Sequence, residues 1–344
     1  MNPMVWSLLI TALATSTVIT MSSNHWLLAW LGLELNTLSI LPIMAKYHHP
    51  RATEATTKYF LIQATAAASI LFASTINAWQ TGQWSLMHTN SNTTAALTTI
   101  AIMMKLGIAP VHLWYPEALQ GVPMNTAMLL STWQKIAPLA FLYLLHNNLS
   151  PTTMLTFGLI SATIGGWTGL NQTQTRKIMA FSSIAHMGWL LVALNLSPRL
   201  ATLTVILYLF TTLATFTILS TTTTKTISDI GTTWTTSPTM LTTTMITLLS
   251  LGGLPPLTGF LPKWLILNEL AATNLAPIGL ALLIASLPSL FFYTRMAYMT
   301  TLTTPPTTTT TKLKWRLTTT LSTTPVILLT WLMIPMTTTL YNTT

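Results

Sequence analysis

A chain whose charged side chains occupy only 6% of its 344 positions cannot clothe itself for water. Soluble domains carry about 25% charged residues, because their surface must be solvated. Here 51% of residues are hydrophobic and the mean hydropathy is +0.58, so lipid is the solvent for most of the surface. The start, MNPMVWSLLITALATS, has no basic leading region and no small-residue cleavage pattern, and reads as a first membrane span. Cysteine is absent. That excludes disulfides, thiolate-held iron–sulfur clusters and cysteine-ligated zinc or copper in this chain.

At about 20 residues per crossing, the pattern predicts an all-α polytopic membrane protein of about eleven spans. They fall at roughly 3–22, 25–45, 58–80, 93–120, 122–145, 150–171, 177–196, 199–222, 239–271, 274–298 and 323–342. Threonine is frequent inside them; its hydroxyl can bond back to a helix carbonyl and so tolerates lipid. The low-complexity run TTPPTTTTTK at 303–312 joins the last two spans.

The basic residues test this map. Loops after even-numbered spans hold Lys46, Arg51, Lys58, Arg176, Lys177, Lys225, Arg295, Lys312, Lys314 and Arg316, whereas loops after odd-numbered spans hold Arg199 alone. That asymmetry puts the even loops and the N-terminus on the cytoplasm-like side. The net charge of +9 is therefore a topology signal, scattered over several loops without a nucleic-acid-binding motif.

Three lysines fall inside spans: Lys105, Lys135 and Lys263. Glu34 and His186 lie near the midpoints of spans 2 and 7. A charge at mid-membrane depth costs at least ~2.5–3.5 kcal/mol, so such residues are functional candidates before they are structural ones. The competing reading is a buried ion pair that only joins helices, but one glutamate cannot neutralise three lysines. A lysine deprived of water holds its proton less firmly, and a carboxylate brought beside it reverses that. Moving Glu34 relative to Lys105 would thus switch proton affinity, which is the elementary device of a proton pump.

Spans 4 and 9 are too long for a plain crossing, and both are broken. The first reads KLGIAPVHLWYPE, with Gly107 and Pro110 at the break; the second reads GGLPPLTGFLPK, with Gly252, Gly253, Pro255, Pro256 and Gly259. Broken helices five apart, in matching places, are the sequence sign of an inverted repeat with its ion site at mid-depth. Unwound backbone there must be buried in protein or meet water. Lys105 lies where the helix dipole favours a cation, and Lys263 where it disfavours one. The alternative is a pair of ordinary proline kinks. The predicted organisation is one membrane domain. Residues 1–171 hold spans 1–6, with a first five-helix repeat over about 1–145. Residues 172–298 hold spans 7–10, and the second repeat covers about 150–298, including span 6. The threonine-rich loop and last helix occupy 299–344.

The pattern Lys105-x-Gly107-x-x-Pro110-x-His112-x-Trp114-x-Pro116-Glu117, followed by Lys135 and GLPPLTGFLPK, resembles the antiporter-like membrane subunits of respiratory complex I. The MNP start, the segment HWLLAWLGLELNTLSILPIM and the chain length are most similar to that family's subunit 2 branch in animal mitochondria. The resemblance implies a subunit of a proton-pumping NADH:ubiquinone oxidoreductase in the mitochondrial inner membrane, its basic loops and N-terminus facing the matrix. Glu34 and Lys105 then resemble the charges of the first half-channel. Lys135 resembles the connecting lysine and Lys263 the residue opening to the far side. His112 and His186, with Ser182 and Ser183 on its helix, resemble relays along a hydrated line Glu34–Lys105–Lys135–His186–Lys263. NADH, flavin, iron–sulfur clusters and ubiquinone would bind elsewhere in the complex, with no cofactor or metal in this chain. Its partners would be the other membrane and accessory subunits and the inner-membrane lipids, not nucleic acid. An architectural, non-pumping subunit and a stand-alone cation/proton antiporter are the alternatives. A haem protein is disfavoured, since no span carries two histidines well spaced on one buried face.

Overall fold

The computed structural model describes residues 2–46, 48–87, 92–233, 238–255 and 257–301. The predicted last span at 323–342, the threonine-rich run, His88, Pro256, Lys312, Lys314 and Arg316 lie outside them. The described residues form helices and their connections, in two compact units.

The first unit is Met1–Phe157. It contains α1 (Pro3–Ser22), α2 (Trp26–Ala45), α3 (Pro50–Thr81), α4 (Asn92–Leu106), α5 (Trp114–Gly121), α6 (Met124–Ser131) and α7 (Trp133–Leu145), and the start of α8 (Pro151–Gly169). Within it α1 packs along α2, α2 along α3, and α3 along α4 and α5, while α7 touches α1, α2 and α4. The second unit, Gly158–Thr344, holds the rest of α8, then α9 (Thr175–Leu196), α10 (Pro198–Thr221), α11 (Ile227–Thr232), α12 (Pro238–Gly252), α13 (Phe260–Ala272) and α14 (Ala276–Thr301). There α10 packs on α9, α12 and α13, and α14 on α9, α11, α12 and α13. The close approach of α8 to α9 depends on small residues: a Cβ at Gly188 would overlap the Ser161 hydroxyl and the Gly158 carbonyl.

Local sequence explains the helix ends. Asn2, His25 and His49 accept hydrogen bonds from Met4, Leu27 and Arg51 N–H groups at 3.2 Å, each capping the helix that follows. Pro3, Pro50 and Pro198 occupy first-turn positions where no N–H is missed. The surfaces are oily outward and polar inward. Leu8, Val18, Leu287 and Phe291 are well exposed, whereas Ser16, Asn36, Gln63, Thr98 and Thr247 are buried. Buried threonines bond back to carbonyls, more often three residues behind, as Thr204 to Ala201 and Thr247 to Thr244, than four, as Thr211 to Leu207. Seven of the described helical segments are long and apolar enough to cross a membrane, and the protein is multi-pass.

Loop contacts test the alternation of sides within each unit. In the first, Trp26 N–H donates to Trp84 O and Leu86 N–H to Asn24 O, while the Asn148 amide donates to Leu86 and Met87 carbonyls. The ends after spans 1, 3 and 5 thus meet at one edge. Lys46 lies 4.8 Å over the Trp6 ring, gathering the N-terminus to the even side. In the second unit Arg295 donates to Leu170 O at 2.9 Å and Gln172 O at 2.7 Å, and Thr175 N–H donates to Lys225 O. The ends after spans 6, 8 and 10 share an edge, as the distribution of basic residues predicts.

Three features differ from expectation. The third helix begins at Pro50 rather than 58, because the His49 cap starts it early and Lys58 bonds Glu54 and Glu117 at 2.6 and 2.7 Å beyond the apolar stretch. The span expected over 122–145 stands as one apolar segment, Met124–Asn148, with a single irregular residue at Thr132 (φ −112°, ψ −74°) between α6 and α7. A short helix, α11, was not anticipated. Its capping box joins the Thr226 hydroxyl to the N–H of Asp229 and the Asp229 carboxylate to the N–H groups of Thr226 and Lys225. Burial works against the Asp229 charge, but those N–H donors outweigh it and hold the carboxyl below its ordinary range. Such a group stabilises the turn above its unfolded pKa, and the benefit is lost as pH falls through the lower folded value. Protection of the amides over residues 225–232, measured against the intrinsic exchange rate at each pH, is expected to fall on acidification through that range, and to be low at every pH in Asp229→Ala.

Candidate functional site

Both long spans are broken at a glycine followed by the same cap. At the end of α4, Gly107 has φ 69°, its N–H goes to Met104 O, and the Ile108 N–H reaches back to Met103 O. At the end of α12, Gly253 has φ 80°, with its N–H on Ser250 O and Leu254 N–H on Leu249 O. These are Schellman ends, which require a residue free to adopt positive φ. The chain then runs irregularly to α5 and to α13, so both breaks stand where the sequence puts them.

A helix end leaves carbonyls without partners, and in both units a side chain satisfies one. The Gln63 amide donates to the Lys105 carbonyl at 3.2 Å. The Lys263 ammonium donates to the Gly252 carbonyl at 3.0 Å. Lys263 sits in the first turn of α13, the unfavourable end for a cation, but its side chain reaches back to the negative end of α12. The dipole penalty expected from sequence is thereby offset by position.

In the first unit, Lys105 and Lys135 line one cavity of about 20 Å³ with Asn36, Thr37, Tyr59, Gln63, Trp114, Tyr115 and Gln134. A buried water needs ~10–15 Å³ on the same measure, so there is room for one or two. Lys105 is 5% exposed, and its ammonium has no hydrogen-bond partner among the described residues. Lys135 is 3% exposed, with its ammonium 4.8 Å over the Tyr115 ring. Glu34 stands half-buried on α2, its Oε2 without a hydrogen bond among the described residues. Among the described residues it closes no contact ion pair with Lys105. Within 4.0 Å, the ion pairs among the described residues join Lys58 to Glu54 and to Glu117. His112, buried inside the break, has Nδ1 3.2 Å from the Pro110 carbonyl and does not line this cavity.

In the second unit, Lys263 and His186 line a cavity of about 40 Å³ with Trp189, Thr204, Tyr208, Thr211 and Ser250. That is room for about three waters. Lys263 lies 5.8 Å over the Trp189 ring, and His186 Nε2 is 3.3 Å from the Tyr293 hydroxyl. Ser182 and Ser183 bond back to their own helix, at Met179 O and Ala180 O. Counting ionisable residues overlooked the neutral polar walls, above all Asn36, Gln63, Gln134 and Tyr208. The available signal was an amide at mid-span, which lipid disfavours for the same reason as a charge.

Interrupted helices, buried lysines at the interruptions and small wettable cavities define a class: polytopic helical membrane proteins of antiporter-like build. Residues 23–292 match the family described as "NADH:quinone oxidoreductase/Mrp antiporter, TM", and residues 290–341 match "NADH dehydrogenase subunit 2 C-terminus". The chain belongs to the NADH-ubiquinone oxidoreductase chain 2 family. It is 51% identical to NADH-ubiquinone oxidoreductase chain 2 of Polypterus ornatipinnis, over 92% of both chains, and 50% identical to that of Xenopus laevis, again over 92% of each. Its fold is similar to a chain of respiratory complex I from Thermus thermophilus with bound Aureothin. The TM-score is 0.85 at 22% identity, covering 97% of this chain and 79% of that one.

Proposed function

We propose that this chain is a core membrane subunit of proton-pumping NADH:ubiquinone oxidoreductase in the mitochondrial inner membrane, and that it carries protons without binding a redox cofactor. NADH, flavin, iron–sulfur clusters and ubiquinone belong to other subunits, with which it assembles among inner-membrane lipids. The basic even-numbered loops and the N-terminus face the matrix. The two broken spans, five apart in sequence, support a reading as two inverted repeats. The observation that carries the proposal is that each unit holds a lysine beside a helix break and facing a cavity with room for water.

Glu34 sets how firmly Lys105 holds its proton, because a nearby charge favours or disfavours the ammonium form. Lys135 shares the Lys105 cavity and receives the proton through water. His186 and Lys263 serve the second unit in the same way, and His112 supports the first break as a relay of smaller weight. The test is Lys135→Ala in the assembled complex, reconstituted in vesicles. Protons moved per NADH oxidised are expected to fall while the complex still assembles. An unchanged ratio would show an architectural subunit instead. Sodium-driven proton flux by the isolated chain would show a stand-alone antiporter.

A further inference from the structure

Gln134 immediately precedes Lys135 in α7, and its buried amide is held at both ends. Its Oε1 accepts from the Tyr59 hydroxyl at 3.4 Å, and its Nε2 donates to Asn36 Oδ1 at 3.3 Å and Asn36 O at 3.5 Å. Asn36 is 2% exposed and stands two residues after Glu34 on α2. Tyr59 lies four residues before Gln63 on α3, so the two share a face, and Gln63 holds the Lys105 carbonyl. All four residues line the cavity of Lys105 and Lys135. Neutral hydrogen bonds therefore tie together the three helices that carry Glu34, Lys105 and Lys135.

The first turn of α7 is weakly held along its own axis. Thr132 is irregular at φ −112° and ψ −74°, and Pro138 has no N–H to give to the Gln134 carbonyl. Laterally the turn is tied through the Gln134 amide to α2 and α3, and through the Trp133 indole N–H to the Leu13 carbonyl of α1 at 3.5 Å. A buried amide is costly to leave unpaired, so it follows its partner when the partner moves. We infer that the Asn36–Gln134 hydrogen bond is the mechanical link between Glu34 and Lys135. Displacement of α2, when the charge at Glu34 changes, swings the first turn of α7 and sets the reach of Lys135 toward water shared with Lys105. Asn36 and Gln134 are positioning residues; neither titrates nor carries the proton. This rests on the proton-carrying function proposed above.

The test uses the assembled complex in vesicles, with Asn36→Leu, Gln134→Leu and the double variant. Each single change is expected to lower proton translocation about threefold to tenfold, the range set by one hydrogen bond of ordinary net strength. Protons per NADH should fall with it. The double variant should be no worse than the worse single, since both remove the same link. The neutral exchange of Asn36→Gln with Gln134→Asn should recover part of the loss. Unchanged translocation, additive losses, or less assembled complex at an unchanged proton-to-electron ratio would each overturn the inference. Should the leucine variants fail to assemble, Asn36→Ser and Gln134→Met are read by the same criteria. Lys135→Ala separates the levels: if it stops pumping while the amide variants do nothing, the link is refuted and the function stands.

Discussion

Lys105→Met is expected to stop proton movement through the first unit while leaving the helices in place. The ammonium has no hydrogen bond to lose among the described residues, and the Gln63 bond is to the backbone carbonyl of residue 105, which any side chain retains. Methionine is similar in length and flexible enough to fill the same space. Removing a mid-depth charge also favours the membrane state by about 2.5–3.5 kcal/mol. The loss falls instead on chemistry, where a positioned proton-exchanging group contributes roughly a hundredfold or more. Proton flux through this chain, measured in vesicles against the amount of assembled complex, should fall by about that factor. Lys105→Arg is the companion variant. It keeps the charge but cannot release a proton, so it should fail as badly. Normal pumping in either variant would remove Lys105 from the path.

Gly253→Ala is expected to produce the larger loss of stability. At φ 80° an alanine pays about 1–2 kcal/mol in backbone strain. Its Cβ would also come 2.9 Å from Lys263 Nζ and 3.2 Å from Lys263 Cδ and Cε. The ammonium must leave the Gly252 carbonyl, and a buried carbonyl without a partner costs ~1–3 kcal/mol. Together these amount to about 2–5 kcal/mol. Gly82→Ala isolates the first part, since Gly82 has φ 69° with nothing within 4 Å of an added Cβ. Thermal inactivation of the solubilised complex should therefore separate the two variants clearly. Equal effects would mean that Lys263 relaxes without loss.

Much of the fold was legible because lipid enforces simple rules. A helix must be long and apolar enough to span, and that rule holds for the spans at 3–22, 25–45 and 177–196, where Pro3–Ser22, Trp26–Ala45 and Thr175–Leu196 meet it. The broken spans were legible because glycine after an apolar run, as in KLG and LGG, signals a helix end even in oily surroundings. The irregular residue at Thr132 was not, since a threonine inside a span usually bonds back without disturbing the helix. Among site residues, Lys105, Lys135, His186 and Lys263 were visible as charges or titratable groups out of place. Which of them face a common cavity was not visible. Nor was the fact that Glu34 stands apart from Lys105 without contact, since the gap is set by how α2 packs against its neighbours.

The sequence by itself determined that the chain lives in lipid, where its helices break and which ionisable groups the membrane must accommodate. Each of those follows from local chemistry: the cost of charge in hydrocarbon, the φ of glycine and the length of a span. Only the tertiary structure decided that Lys263 answers the carbonyl of the helix before it, that Lys105 and Lys135 share one cavity, and that Gln134 ties the helix of Lys135 to α2. Those contacts join residues from 11 to 98 positions apart, and no local preference encodes a meeting at such distances. They exist because buried polar groups must find partners wherever packing brings them within reach.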